Sequence, residues 1–166
     1  MRVLGIDPGT LNLGYGIVDE EGERINMIDC GVLSLSSRIP VEQRLSLLFG
    51  KLDEILARYK PDEVAVEEPF VAGNVRSALA IGRAQTVAIL VAANRKLPVS
   101  RYLPTQVKLR VGSYGNSSKE QVQEMVRIQL GLVQPIKSND AADALAVAIC
   151  HLRQKHLDFL LAKSQQ

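Results

Sequence analysis

Four carboxylates stand where chain geometry gives an acid chemical work. Asp7 ends a short apolar run, residues 2–7, and precedes the turn residues Pro8-Gly9-Thr10. An acid at the carboxyl end of a buried strand is costly unless it is paired, hydrogen-bonded or bound to a cation. Glu67 closes a second apolar run beginning at Val64, and α/β sheets collect their sites just outside such strand ends. Glu68 competes with it, but side chains alternate across a strand, so only one of the two easily joins Asp7. Asp140 and Asp143 lie three apart in Asn139-Asp140-Ala141-Ala142-Asp143-Ala144-Leu145-Ala146, a spacing that puts both on one face of a helix start. Singly, each acid has a plain explanation: a turn residue, a solvated strand-end charge, or a partner for the helix dipole. As a set they offer oxygen donors with no His/Cys cluster, which suits Mg²⁺ or Mn²⁺ and argues against zinc. Two such ions about 4 Å apart activate water and stabilise a leaving 3′-oxygen in phosphodiester hydrolysis.

The elements that must position these acids follow from pattern. Residues 2–7, 13–19 and 24–35 are rich in Ile, Val and Leu, with Glu21-Gly22 between the last two, and predict an antiparallel meander. Leu45, Leu48, Leu52, Ile55 and Leu56 recur at helical spacing over residues 41–59, and Lys60-Pro61 stops that helix. A strand at 64–66, a long Ala/Leu-rich helix at 75–95 and a strand at 99–103 then alternate, favouring parallel pairing with helices on the sheet faces. Two helices close the chain, at 118–130, opened by Ser117 and Glu120 as a capping box, and at 139–157 after Pro135. The expected class is α/β, a mixed five-stranded sheet flanked by helices. Asp62 and Glu63, just before the fourth strand, read as surface charges.

Bulk composition adds little. With 166 residues and 46% hydrophobic content, one domain spanning 1–166 is expected, with roughly the last ten residues fraying. A net charge of +2 means that nucleic-acid binding would require clustered basic residues. Cys30 and Cys150 have no CxxC or Cys/His context and suit core packing in a reducing compartment. No export signal or apolar run of about 18 residues is evident, so the expected location is cytoplasmic, without membrane. In the helix after Asn74, the small residues Ser77, Ala78, Ala80, Gly82 and Ala84 lie among Leu79, Ile81, Val87 and Leu90, which suits either a partner subunit or burial within the monomer.

The segments Gly5-Ile6-Asp7-Pro8-Gly9-Thr10, Ala65-Val66-Glu67-Glu68-Pro69-Phe70 and Asp140-Ala141-Ala142-Asp143-Ala144-Leu145-Ala146 together resemble the acidic motifs of the RuvC family of Holliday-junction resolvases. Order, spacing and length agree over essentially the whole chain. The resemblance implies a ribonuclease H-like fold and a homodimeric endonuclease that makes paired symmetric nicks in four-way junction DNA. It further implies work alongside the RuvA–RuvB branch-migration complex. Carried over, Asp7, Glu67, Asp140 and Asp143 become the catalytic metal ligands for Mg²⁺, with Mn²⁺ able to substitute and two ions in each active site. Phe70 becomes a stacking platform for an unpaired base, and Lys108 and Lys119 become basic residues near the scissile phosphate. Arg76, Arg83 and Arg110 are further candidates for backbone contacts. Glu68-Pro69 departs from the family, which often has neutral residues there.

Three rivals bound this reading. The strand followed by Asp-x-Gly-Thr also occurs in actin- and Hsp70-like ATP-binding lobes, but a nucleotide there needs two lobes, and this chain is too short for both. A junction-binding module without catalysis would not need four crowded acids, which are unfavourable near phosphate without a cation. A nuclease of the same fold acting on other substrates differs only in target, which fold does not fix.

Overall fold

The computed structural model describes residues 1–68, 75–112 and 117–164. Its centre is a five-stranded sheet in the order β3-β2-β1-β4-β5, built from β1 (Arg2–Asp7), β2 (Asn12–Glu21), β3 (Arg24–Ser34), β4 (Glu63–Glu67) and β5 (Val99–Tyr102). The first three strands form the antiparallel meander, and β4 and β5 add in parallel through crossovers. The mixed sheet expected from the sequence is present. Gly22, at φ 62°, opens the two-residue turn between β2 and β3, a backbone conformation that glycine adopts without steric cost. Between the partners of Ile17 and Val18, Asp29 and Met27, the register skips Ile28, which marks a bulge in β3.

Helices cover both faces. On one side α1 (Val41–Tyr59) and α2 (Val75–Asn94) enclose Leu4, Ile6, Leu13, Ile17, Val64 and Val66 with Leu48, Leu52, Leu56, Ala84, Ala88 and Val91. On the other, α3 (Pro104–Gly112), α4 (Lys119–Gln129) and α5 (Asn139–Ser164) pack on Val3, Val18, Ala65 and Tyr102. The strand alternation divides these sets: in β1, Leu4 and Ile6 face α1 and α2, so Val3, Gly5 and Asp7 face α5. In β4, Val64 and Val66 face α1 and α2, leaving Glu63, Ala65 and Glu67 toward α5.

Glycine makes that second layer close. A Cβ on Gly5 would lie 2.1 Å from the Ala144 carbonyl oxygen, and one on Gly14 would lie 2.0 Å from that of Asp140. The alanines of α5 meet a glycine floor, and the helix backbone rests almost on the sheet.

Four details differ from the sequence reading. Helix α3 was not anticipated: a nine-residue helix opening at Pro104 has little periodicity of its own, and Val107 and Val111 are its buried residues. The cap of α4 sits one residue later than expected; Ser118 accepts from the Gln121 amide, and the Gln121 side chain accepts from the Ser118 amide. Ser117 is instead buried, its hydroxyl donating to the Gly112 carbonyl. Helix α5 continues to Ser164, seven residues past its expected end. Finally, α2 is long and apolar enough to cross a membrane by length and composition, although the sequence reading found no such run. In the fold, α2 packs on α1 and on β4 and β5.

Candidate active site

The carboxyl ends of β1 and β4 lie side by side, because Ile6 pairs with Val66 in parallel register and each strand has one further residue, Asp7 and Glu67. Both side chains face α5. Asp7 is also the cross-strand partner of Gly14, the glycine that lets the Asp140 turn settle onto β2. The helix start therefore descends beside Asp7, and the three-residue step from Asp140 brings Asp143 toward the same place. The sequence-predicted acids Asp7, Glu67, Asp140 and Asp143 thus form one electrostatic cluster.

Its electrostatics show the cost of that crowding. Burial pushes the Asp7 carboxyl up to about 7, reinforced by the charges of Asp143 and Asp140. Burial likewise raises Glu67, to about 8, with the charges of Asp7 and Asp143 and a hydrogen bond to Asp7 adding to it. The two side chains are hydrogen-bonded to each other, and burial together with mutual repulsion disfavours ionising both. Acids crowded and buried in this way would be relieved by a cation.

One cation is already present. Lys119 Nζ lies 2.6 Å from Asp143 Oδ2. Burial alone would lower that ammonium, but the bond to Asp143 and the fields of Asp143, Asp7 and Asp140 outweigh it, and the net shift is upward. Lys119 stands at the first residue of α4, where the dipole disfavours a positive charge and the acids compensate for it. Lys108 of α3, Lys119, Glu67 and Asp143 line a common cleft of about 160 Å³, floored by Val107, Val122 and Ala146. Among the described residues no three acidic, His or Cys side chains are already gathered as a finished ligand cage. The donor set nevertheless fits a hard divalent cation, since every donor is a carboxylate oxygen and the cluster carries more negative charge than Lys119 offsets.

Other sequence candidates fall elsewhere. Glu68 does not join Asp7; its amide donates to the Tyr102 carbonyl and its carboxylate lies 3.5 Å from Arg101. This resolves the competition in favour of Glu67. Phe70 lies outside the described residues. Arg76 and Arg83 are exposed on α2. Arg110 lines a hollow with Glu20, Glu23 and His156 by the β2–β3 turn, at the opposite end of the sheet from Asp7, and so is not placed with the cluster. Glu63 is corrected as well: it is mostly buried in β4 and bonded to His151 and Lys155, so it is no free surface charge. The sequence signal for it was available, since Glu63 lies four residues before Glu67 on the same strand face.

Comparison with known proteins accords with this geometry. Residues 3–151 match the model of the family described as crossover junction endodeoxyribonuclease RuvC. The protein of that name from Dehalococcoides mccartyi is 52% identical over 155 residues, 93% of each chain. Its namesake from Alkaliphilus metalliredigens is 45% identical, covering 96% of this chain and 98% of its own. Among solved structures, Thermus thermophilus RuvC superposes with a TM-score of 0.89 at 34% identity, covering 95% of this chain and 97% of that one. The same protein in complex with a Holliday junction substrate also gives 0.89, at 33% identity. The yeast mitochondrial resolvase Ydc2, at 16% identity and a TM-score of 0.64, shares the fold. Nucleases of this kind depend on divalent metal, which the all-oxygen donor set fits. A sheet that ends in paired acids, under a helix that begins with two more, is here the ribonuclease H-like architecture of a nuclease, and the chain belongs to the RuvC family of crossover junction endodeoxyribonucleases.

Proposed function

We propose that this chain resolves Holliday junctions in DNA recombination and repair, making paired symmetric nicks by metal-dependent phosphodiester hydrolysis. The observation that carries the reading is the convergence of Asp7 and Glu67, at the ends of paired strands, with Asp143 and Lys119, a crowding of acids that a divalent cation would neutralise. Asp7, Glu67, Asp140 and Asp143 are the catalytic acids and hold two Mg²⁺ ions, for which Mn²⁺ substitutes. When bound, such ions supply an activated water and charge stabilisation for the leaving 3′-oxygen. Lys119 and Lys108, on the wall of the same cleft, face the scissile phosphate and orient it. Phe70, just beyond Glu67, stacks on an unpaired base at the junction.

Paired nicks need two sites, and α2 supports a homodimer. Val75, Leu79 and Leu90 are exposed by 64%, 57% and 50%, and with Gly82 and Thr86 they lie on one face at helical spacing. Space around Gly82 is open. A second copy covering this stripe removes from water an apolar face that the monomer leaves bare. The junction would be delivered by RuvA–RuvB, and the site of action is the cytoplasm.

The test compares labelled four-way junction, linear duplex and RNA–DNA hybrid with Mg²⁺. Cleavage of the junction at symmetric positions, with little of the others, is expected; equal cleavage of all three would point to a general nuclease of this fold. Asp7→Asn is expected to cut nicking by more than about 100-fold, the upper end of the cost of disturbing a metal ligand's own partners. Junction binding in Ca²⁺ should persist in that variant, because the basic surface is intact.

A further inference from the structure

Beneath the cluster, α5 is tied to the sheet a second time. His151 is fully buried, and both ring nitrogens are engaged: Nδ1 lies 2.8 Å from the Tyr102 hydroxyl and Nε2 lies 3.0 Å from Glu63 Oε2. Glu63 Oε1 in turn meets Lys155 Nζ at 2.8 Å. Burial holds the imidazole below its ordinary value and therefore neutral. One tautomer satisfies both bonds, with Nε2–H donating to Glu63 and Nδ1 accepting from the Tyr102 hydroxyl.

The placement of this chain of contacts is informative. β4 and α5 run in opposite directions, so the start of the strand meets the later part of the helix, Glu63 with His151, while its end meets the helix start, Glu67 with Asp143. Four strand residues and eight helix residues each span about 12–13 Å. The two elements therefore have matched lengths between two ties, one polar and buried, the other the acid cluster. Tyr102 adds β5 to the brace, because it is the register partner of Glu67 and its carbonyl accepts from the Glu68 amide. The glycine floor under α5 lets the helix approach closely, and apolar packing around it is non-directional. Directional hydrogen bonds from a buried imidazole resist sliding along the helix axis, since any slide leaves a buried polar atom unpaired.

We infer that His151, held between Tyr102 and Glu63, is a positioning residue: it sets the axial register of α5 on β4 and thereby the separation of Glu67 from Asp140 and Asp143. This rests on the proposed metal-binding role of those acids, and the experiment separates the two. Mn²⁺ binding to DNA-free protein is titrated by electron paramagnetic resonance for wild type, Asp7→Asn, Tyr102→Phe, His151→Leu and His151→Gln, alongside melting temperature and junction affinity in Ca²⁺. Tyr102→Phe and His151→Leu are expected to weaken Mn²⁺ binding about 10-fold, and to raise the Mg²⁺ concentration for half-maximal nicking in step. Junction affinity in Ca²⁺ stays unchanged, and His151→Gln, whose amide offers both a donor and an acceptor, recovers most of the loss. If His151→Leu does not fold, Tyr102→Phe decides, because it keeps the ring and removes only the hydroxyl. Wild-type Mn²⁺ affinity in folded Tyr102→Phe overturns the inference alone, whereas equal Mn²⁺ binding by wild type and Asp7→Asn overturns the metal site itself.

Discussion

At the scale of single residues, the Asp7–Glu67 pair ties protonation to folding. Both carboxyls are raised above their unfolded values, so in the metal-free protein their contribution to stability is fully present below about pH 4 and is lost as pH rises through about 7 and 8. The melting temperature of protein in chelator is therefore expected to fall as pH increases from 5 to 9, other groups being equal. Asp7→Asn removes one charge of the pair and should flatten that slope, which scanning calorimetry across pH will read directly; an unchanged slope would show that the pair is not buried together. How much of the site was legible follows from the same residues. The four acids could be named because strand-end and helix-start positions are visible as local pattern. The bond from Lys119 to Asp143 could not, since it depends on where α4 lands, and the choice of Glu67 over Glu68 was resolved by the pairing of Glu68 with Arg101.

At the scale of elements, the decisive fit is α5 on the glycines of β1 and β2. Gly14→Ala would drive a methyl into the Asp140 carbonyl, a backbone atom that cannot turn aside. A loss of about 1–3 kcal/mol, the usual range for overpacking, is expected in urea denaturation, together with a loss of nicking as the Asp140 turn lifts from Asp7. Gly22→Ala serves as a contrast: its Cβ meets nothing, and only its positive φ is strained. At α4, Ser118→Ala removes the reciprocal cap and should cost about 1 kcal/mol, read by the same method. The long helices and the meander were plain from periodicity, whereas α3 was missed because nine residues with two buried valines carry too little pattern to distinguish from a loop. The cap was misplaced by one residue because Ser117 and Ser118 are chemically equivalent in sequence, and only burial of the first separates them.

At the scale of the whole molecule, the open face of α2 is the feature a monomer explains least. Replacing Leu79 and Leu90 together by Glu is expected to leave melting nearly unchanged, because both side chains are already exposed, while sedimentation shifts from dimer to monomer. Junctions would then receive single rather than paired nicks, and a variant that still sediments as a dimer would place the contact elsewhere. Sequence alone left that stripe open between a subunit contact and internal burial, since small residues permit both; in the fold Ala84 is buried within the monomer while Leu79 and Leu90 stay exposed. The ammonium seated on Asp143 carries a further consequence. Because the chain supplies its own counterion to Asp143, a divalent ion bound by that carboxylate would compete with the Lys119 ammonium. On the proposed reading, an ammonium released from Asp143 in that way would be free to meet phosphate, and grip on the strand would be coupled to metal loading.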